Sequence, residues 1–426
     1  MRVCLFEDAL VADLEPLTLT RPAFDLLCGC TSLADKQCRY FAARRYGALV
    51  RPYLAEVVAL SGMPVNDLDW LRAGPVVLVN ARWLPPAPDP TLLEELAPPC
   101  VATCDGEVAF AVLTPDRLAD CSPLTLDACL ERWREAIPSR PVAGRLLRHL
   151  WELVDQNGEE VELDAWLSDP ERPRRTEGLP ALVGRVERLL IDPTVRIDPM
   201  VVADTTAGPV VIDRDAYVGA FTRLEGPCYV GPGTQVLGAK VRAGTSLGPQ
   251  CRVGGEVECS VVWGCSNKYH DGFLGHAYVG AWVNLGAGTS NSDLRNDYGD
   301  VRVAVGGRMT DTRRSKVGCF LGDHTKTGLG TLLNTGTSAG AFCNLLPTGG
   351  LLPKYVPSFT DVWNGALREN ADLDSLLTTA SKVMRRRGVT LGEAHERLYR
   401  RVWEQTAGVR RQAIREGEAR RLRRSA

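Results

Sequence analysis

The sequence has no excess of charge of either sign. Its 426 residues hold 50 Lys and Arg against 52 Asp and Glu, a formal net charge of −2. That balance excludes a protein that coats nucleic acid through general cationic attraction. No apolar run approaches the length of about 18 residues that a membrane span needs, and no signal segment opens the chain. We therefore expect a cytoplasmic protein with neither a membrane nor a nucleic-acid partner.

Metal and redox motifs are also lacking. The fourteen cysteines include no CxxC pair, which the common zinc and thiol-redox sites require. We expect them to be free thiols that pack as small apolar residues. Aromatic residues make up only 7% of the chain, whereas it has 41 Gly and 27 Pro. This composition favours many regular turns, as in an all-β or solenoid region.

The first 175 residues are predicted to form an α/β domain. Short apolar strands are expected at 2–6 and 74–79, with helices at 33–46 and 124–137. Residues 100–112 alternate in polarity around Asp105-Gly106, a pair typical of hairpin turns. Asn157-Gly158 predicts a further turn, and the charged, Pro-rich segment 167–179 predicts a linker.

Residues 176–356 carry a six-residue repeat of aliphatic side chains. Such a period fits neither a helix nor simple strand alternation, and it predicts a three-sided parallel β-helix with one hexapeptide per side. The segment 291–316 interrupts the period and is expected to leave the coil as a loop. Helices at 372–387 and 391–405 would form an Arg-rich C-terminal extension, 357–426. The predicted inward residues are Ile212, Val218, Leu224, Val230, Val236, Val241, Leu247, Val253, Phe273, Val279, Leu285, Leu321, Thr327, Leu333 and Ala339.

The segment NKYHDGFLGHAYVGAWVNLGAGTSNSDL resembles the acetyltransferase half of the bifunctional GlmU-type enzymes. These enzymes are UDP-N-acetylglucosamine pyrophosphorylases and glucosamine-1-phosphate acetyltransferases. The segments LGDHTKTGLGTLLNTGT and LPKYVPSF are similar to those of GlmU-family sugar nucleotidyltransferases. The resemblance implies a left-handed β-helix, a homotrimer and a transferase activity.

The resemblance also implies site residues in the β-helix. His270 corresponds to the general base of acyl transfer, and Asn284 to an Asn that orients the base or the substrate. An acyl-CoA donor such as acetyl-CoA and a sugar phosphate or nucleotide sugar would bind nearby. The alternatives are a polar ladder on the outside of the coil, or a zinc site formed by His270, His276 and His324. The residues expected to bind the acyl-CoA or the sugar phosphate are Lys268, His276, Asn291, Tyr298, His324 and Lys326.

The segment LEPLTLTRPAFDLL resembles the nucleotide-binding start of sugar nucleotidyltransferases. Thr18 and Arg21 match its PLT and Lys-Pro positions, and with Arg82 they are the expected phosphate ligands. The Gly-rich loop of the family is replaced by FEDALVADLE, whose carboxylates would repel a triphosphate unless Mg²⁺ intervened. The strand expected to carry a metal-binding Asp ends instead in Asn80-Ala81-Arg82, so Mg²⁺ is expected only if this domain is active.

Three hypotheses follow for the function of the chain, and all three concern sugar nucleotides. In the first, His270 catalyses acyl transfer from acyl-CoA in the β-helix, beside a divergent nucleotidyltransferase-like domain. In the second, the N-terminal domain catalyses Mg²⁺-dependent nucleotidyl transfer and the β-helix only trimerises. In the third, the chain is a non-catalytic scaffold that binds nucleotide sugars.

Overall fold

A computed structural model describes residues 2–89, 97–168, 173–370 and 372–425. The chain divides into two compact units. The N-terminal unit comprises Met1–Leu14, Thr20–Leu26 and Thr31–His149. The β-helix unit comprises Glu15–Leu19, Leu27–Cys30 and Leu150–Ala426. Part of the predicted linker, residues 169–172, lies outside the described residues.

The N-terminal unit contains a six-stranded mixed sheet with the order β2-β1-β3-β5-β4-β6. Strands β1, β2 and β3 pair in parallel, and β4 and β5 form the predicted hairpin with Asp105 and Gly106 in its turn. The apolar residues of β1 and β3 are buried on both faces, as expected of central parallel strands. The strands are β1 (Val3–Phe6), β2 (Tyr46–Leu49), β3 (Val76–Asn80), β4 (Cys100–Cys104), β5 (Glu107–Leu113) and β6 (Ser139–Pro141).

Four helices accompany this sheet within the described residues. Ser32 begins the first with a capping box, because its hydroxyl accepts from the Asp35 N–H and Asp35 accepts from the Ser32 N–H. The helices are α1 (Leu33–Tyr40), α2 (Ala55–Ala59), α3 (Leu68–Arg72) and α4 (Leu126–Ala136), and short 3-10 turns lie at Ala9–Leu14, Ala23–Asp25, Pro52–Leu54 and Pro115–Leu118. Two-residue strands occur at Thr31–Ser32, Trp83–Leu84 and Arg145–Leu146.

The second unit is the predicted three-sided parallel β-helix. Its first face consists of Ala181–Val183, Val202–Asp204, Arg223–Glu225, Lys240–Val241, Glu256–Glu258 and Phe273–Gly275, continued by Ser290–Asn291 and Leu332–Leu333. The second consists of Leu189–Ile191, Val210–Ile212, Cys228–Val230, Thr245–Leu247, Val261–Gly264, Tyr278–Ala281, Cys319–Leu321, Thr337–Ala339 and Tyr355–Val356. The third consists of Arg196–Ile197, Tyr217–Val218, Gln235–Val236, Arg252–Val253 and Asn267–Lys268, then Lys326–Thr327, Asn344–Leu345 and Thr360–Trp363. Short elements also lie at Leu17–Leu19, Leu27–Cys28 and Val186–Arg188.

The hexapeptide prediction identifies the interior of the coil with one exception. The predicted aliphatic residues from Ile212 to Val253 are all buried in one apolar cluster. At the later coil the prediction of Phe273 is wrong, because its neighbour Leu274 is the buried residue. The strand there begins with Phe273, so alternation along it directs the second residue inward.

The predicted loop at 291–316 does leave the coil, and it carries an antiparallel hairpin of Arg302–Val305 and Arg308–Asp311. The predicted end of the repeat at residue 357 is too early. Thr360–Trp363 still pairs in parallel with Asn344–Leu345, and Val362 lies in the same apolar cluster. Ala366–Glu369 then pairs back on it in antiparallel fashion and ends the sheet.

Helix α5 (Leu150–Trp166) belongs to the β-helix unit, although the predicted domain boundary followed residue 175. The predicted turn at Asn157-Gly158 is wrong, since both residues lie inside this helix. The Asn157 amide donates to the Gly244 carbonyl and the Ser246 hydroxyl, both at 2.9 Å. A Cβ on Gly158 would lie 3.5 Å from Gly244. The pair therefore serves close packing of the helix on the coil rather than a turn.

Three helices follow the coil: α6 (Leu373–Arg385), α7 (Glu393–Gln405) and α8 (Ala407–Ser425). Arg410 of α8 is fully buried, donates to Glu369 at 2.8 Å and stacks on Trp403 and Phe359. The Arg-rich extension thus begins as a packed part of this unit. All fourteen cysteines are free thiols. Within the described residues, none of the helices is both long and apolar enough to cross a membrane.

Candidate functional site

A cleft of about 470 Å³ opens on the third face of the β-helix. His270 and Asn284, the two residues expected to take part in acyl transfer, both line it. The described residues of its wall include two guanidinium groups, those of Arg252 and Arg386, and no carboxylate. An anionic ligand would therefore meet positive charge in this cleft. The remaining wall residues are Asn267, Tyr269, Leu285, Gly286, Ala287 and Leu329.

A hydrogen-bonded series orients Asn284 at the cleft. The Arg387 guanidinium donates to the Asn267 side-chain oxygen at 2.7 Å, and the Asn267 amide donates to the Asn284 side-chain oxygen at 3.2 Å. Burial, together with the nearby charge of Arg252, lowers the pKa of Arg387. A guanidinium stays charged under this influence, because its ordinary pKa lies far above neutrality. The helical extension therefore supplies a cation that fixes two amides of the coil.

His270 is exposed, and its backbone is held from inside the coil. The Lys268 ammonium donates to the His270 carbonyl and to the Gly254 carbonyl, both at 2.9 Å. Lys268 is only 4% exposed and pairs in register with Val253. It thus lies in the inward column of the third face, and this burial lowers its pKa to about 8. Lys268 supports the turn that carries His270 and does not line the cleft.

The outward residues of the third face form a continuous polar ladder. This arrangement was the alternative interpretation of the polar cluster, and it accounts for Asn267, Asn284 and Lys326 as neighbours on successive coils. The Lys326 ammonium donates to the His324 carbonyl at 2.9 Å, and burial lowers its pKa to about 8. In order, the ladder is Arg196, Tyr217, Gln235, Arg252, Asn267, Asn284, Lys326, Asn344 and Asp361.

The other residues expected at this site lie elsewhere. His276 hydrogen-bonds Asp293 at a different corner of the coil. Asn291 is buried, and its side chain accepts a hydrogen bond from the Gly275 N–H and donates one to the Gly275 carbonyl. Tyr298 is 75% exposed in the inserted loop. His324 is 1% exposed, with its ring stacked on Phe342. The described residues hold no group of three or more His, Cys, Asp or Glu arranged for a metal.

In the N-terminal unit, a smaller cleft of about 150 Å³ is lined by Asp8 and Glu107, and both of these carboxylates pair with the buried Arg82. Its guanidinium donates to Asp8 at 2.6 Å and to Glu107 at 2.7 Å. Burial acts to lower the pKa of Arg82, but the hydrogen bonds and charges of Asp8 and Glu107 outweigh it and raise the pKa. This arginine is therefore neutralised by protein carboxylates, which compete with any phosphate for it.

The wall of this smaller cleft is acidic. Four carboxylates line it, against the single cation Arg134. Asn80 occupies the end of β3 and donates to Asp8 at 2.8 Å. These residues do not fit a magnesium site, because no three acidic groups of the described residues are arranged to hold a metal and Asp8 already accepts from Arg82 and Asn80. The lining carboxylates are those of Asp8, Glu107, Asp127 and Glu131.

Thr18 and Arg21 are both buried. Burial raises the pKa of Asp25 to about 6, although the positive charge of Arg21 acts in the opposite direction. Nearby, Arg51 donates to both oxygens of Glu7. The positive charge of Arg21 therefore acts on a neighbouring carboxyl group of the same unit.

Comparisons with known proteins give partial matches to this chain. Residues 3–172 match the sugar nucleotidyl transferase family model. Over 152 residues the chain is 34% identical to a bifunctional sugar-1-phosphate nucleotidylyltransferase/acetyltransferase of Sulfurisphaera tokodaii, covering 33% of this chain and 36% of that one. It is 36% identical over 106 residues to the bifunctional protein GlmU of Burkholderia vietnamiensis, covering 22% and 23% of the two chains. With GlmU of Aromatoleum aromaticum it shares 32% identity over 151 residues, covering 32% and 30%.

The chain is thus similar in part to sugar nucleotidyl transferases and to the bifunctional GlmU-type proteins. It spans about a third or less of the length of these three curated relatives. Along the chain, an N-terminal sheet domain precedes a parallel β-helix.

The site contains three cations that sequence reasoning missed. Arg252 directly precedes the hexapeptide valine Val253 and has the pattern of any outward polar residue. Arg386 and Arg387 directly follow α6 in the run MRRRG, whereas only the later Arg-rich segment was singled out from the sequence. Their position at the cleft depends on how the helical extension packs on the coil. A local sequence pattern does not predict that packing.

Proposed function

We propose that this GlmU-like chain is a transferase that moves an acyl group from acyl-CoA to a sugar phosphate or nucleotide sugar in the β-helix cleft. The observation that carries the proposal is the meeting of exposed His270 with Arg252 and Arg386 in one cleft without a lining carboxylate. The volume of about 470 Å³ lies in the range of small-molecule sites, about 300–1,000 Å³. The names of the relatives, which include acetyltransferase and sugar-1-phosphate activities, support the substrate classes.

In this mechanism the guanidinium groups of Arg252 and Arg386 hold phosphate oxygens of the donor or of the acceptor. His270 takes the proton from the acceptor amine or hydroxyl as it attacks the thioester carbonyl, a role that imidazole fills near neutral pH. The proton then passes to the departing thiolate. Asn284, fixed through Asn267 and Arg387, orients the acceptor or the imidazole by hydrogen bonding. Acetyl-CoA is the proposed donor.

The direct test incubates the full chain with acetyl-CoA and a panel of amino-sugar phosphates and nucleotide sugars. Loss of thioester absorbance would be followed, and the acylated sugar would be identified by mass spectrometry. At least one acceptor should be acylated at a rate that depends on protein concentration. If no acceptor is acylated while acyl-CoA and sugar ligands still raise the melting temperature, the scaffold hypothesis replaces this one.

Nucleotidyl transfer in the N-terminal unit is the second candidate, favoured by the family match over residues 3–172. The acidic cleft around Asp8 and the engagement of Arg82 weigh against it. Pyrophosphate release from nucleoside triphosphates and sugar 1-phosphates, measured with Mg²⁺ in excess, separates the two. Release without any acyl transfer would make the β-helix a trimerising platform, as in the second hypothesis.

Replacing Arg386 with glutamine should weaken CoA binding about tenfold, which corresponds to about 1.4 kcal/mol and to the loss of one charge-assisted contact. Isothermal titration calorimetry of the full chain would measure the Kd, and the difference should shrink at high salt. Arg385→Gln is the matched control, because Arg385 is the exposed neighbour that does not line the cleft. Equal affinities of the two variants would remove Arg386 from the anion site.

A further inference from the structure

The hydrogen-bonded series that ends at Asn284 has a direction, and Arg387 sets it. A guanidinium carries only N–H donors and no acceptor. The bond of 2.7 Å from Arg387 to Asn267 therefore requires the amide oxygen of Asn267 to point toward Arg387. A second bond, from the Arg387 Nε–H to the Gln250 carbonyl at 3.3 Å, holds the guanidinium against the coil. Arg387 thus determines which end of the Asn267 amide is left for the next coil.

The same direction passes from Asn267 to Asn284. Asn267 and Asn284 pair in parallel on successive coils, which places their side chains side by side. With its oxygen engaged by Arg387, Asn267 offers its N–H groups to its neighbour, and its amide nitrogen lies 3.2 Å from the Asn284 oxygen. The oxygen and the nitrogen of an amide diverge, so the NH2 group of Asn284 is the end left for a ligand. Asn284 is exposed and lines the cleft, so that NH2 group is available there.

Without Arg387 the direction of the series would not be determined. Two amides that face each other can hydrogen-bond in either sense, because each has one donor end and one acceptor end. Only a neighbour that donates and never accepts removes this ambiguity. Lys326 is the next residue of the ladder beyond Asn284, but its ammonium donates to the His324 carbonyl. The guanidinium of Arg387 is therefore the group that selects one of the two senses.

An NH2 group at the cleft limits what Asn284 can hold. It can donate to an oxygen atom of a phosphate, or to the thioester carbonyl oxygen as negative charge develops there. It cannot accept a hydrogen bond from the N–H of an attacking amine, nor from an N–H of the His270 imidazole. The direction of the series thus favours a contact with the substrate over a contact that orients the imidazole.

We propose that Arg387 is a positioning residue that fixes Asn284 as a hydrogen-bond donor to an oxygen atom of the bound substrate. This inference rests on the proposed function for the identity of that substrate. Arg387 is not among the described residues of the cleft wall, so it acts through two amides and not by touching the substrate. The helical extension, which carries Arg387 two residues beyond α6, is then part of the working site.

Arg387→Met should lower kcat/KM for acyl transfer about tenfold, because either end of the Asn284 amide can then face the substrate. A fall in kcat at constant KM would place the bonded oxygen on the thioester carbonyl, and a rise in KM for one substrate would place it on a phosphate of that substrate. Arg387→Lys should retain most of the activity, since an ammonium also donates and never accepts. Arg385→Gln, which removes an exposed charge of the same extension, is the control and should match the wild type.

The Asn284→Ala background decides whether Arg387 acts through Asn284. In that background Arg387→Met should cause a further loss of no more than about twofold, because the amide that it directs is absent. Asn267→Ala interrupts the same series within the coil, and it replaces Arg387→Met if that variant does not fold. Equal losses from Arg387→Met in the wild-type and Asn284→Ala backgrounds would overturn the proposal, since the guanidinium would then act through its charge alone.

A measurement without turnover separates this inference from the proposed function. In full-length protein labelled with ¹⁵N-asparagine, Arg387→Met should shift the side-chain amide signals of both Asn267 and Asn284, and Arg385→Gln should shift neither. The two signals are assigned from their absence in Asn267→Ala and Asn284→Ala. Shifted signals in a chain that acylates no acceptor would contradict the proposed function alone. Acyl transfer by a chain whose Asn284 signal is the same with and without Arg387 would overturn this inference alone.

Discussion

Replacing His270 with alanine should lower kcat for acyl transfer by about a hundredfold to ten-thousandfold, the usual contribution of a general base. The KM for acetyl-CoA should change little, because the proposed anion contacts belong to Arg252 and Arg386. Without the imidazole, no group at the same position can take the acceptor proton near neutral pH. Steady-state kinetics of the full chain, with the acceptor found in the substrate panel, would measure both constants.

Two further variants make this result specific to proton transfer. Added imidazole should restore part of the activity of His270→Ala, since it can enter the space that the side chain leaves. Asn284→Ala should reduce kcat less, because Asn284 orients and does not carry the proton. A His270→Ala enzyme that keeps more than a tenth of the wild-type kcat would exclude His270 as the base.

The fold was largely predictable because the inward positions of a β-helix repeat locally. Val236 and Val253 can be assigned to the interior from their spacing alone, and both are buried. The six-residue spacing assigns the wrong inward residue where a coil begins one residue later, as at Phe273, whose neighbour Leu274 is the buried residue. The local pattern also does not reveal that Asn157 lies within helix α5, where its side chain contacts Gly244. That contact joins residues far apart in sequence, so turn propensity gave the wrong interpretation.

The site was predictable only in part. His270 and Asn284 were found through family resemblance, and the structure places both at one cleft. Lys268 was expected to bind an anionic ligand because lysine is scarce in this Arg-biased sequence and several lysines cluster in this region. Nothing in its hexapeptide reveals that the residue falls in the inward column beside Val253. The cationic wall depends on Arg386, which a separate helix brings to the coil, and only tertiary packing determines that.

The second large expected effect is a pH dependence of the free energy of unfolding, and it comes from the buried Lys268. Burial lowers its pKa from an ordinary 10.5 to about 8, so between these values the unfolded chain binds a proton that the folded chain does not. The free energy of unfolding should therefore rise with pH across this window, by up to about 3 kcal/mol at 1.36 kcal/mol per pKa unit. Below pH 8 the lysine is charged in both states, and the cost of burying it is present in full.

Lys268→Met should remove this cost and with it this part of the pH dependence. At pH 7 the variant should be more stable than the wild type by about 1–2 kcal/mol, since the loss of hydrogen bonds to two carbonyls offsets part of the gain. The advantage should disappear or reverse as the pH rises from 8 to 10.5. Urea titrations of the full chain at both ends of this window, following the β-helix unit, would measure it.

Lys326→Met is the matched control for Lys268→Met. Burial also lowers the pKa of Lys326 to about 8, but this lysine lies in the outward ladder and holds the His324 carbonyl. The two variants should show similar changes in pH dependence, whereas only Lys268→Met should disturb the turn that carries His270 and so lower kcat. A difference between wild type and Lys268→Met that stays constant from pH 7 to pH 10.5 would mean that the buried ammonium carries no such cost. The lysine would then act on His270 through geometry alone.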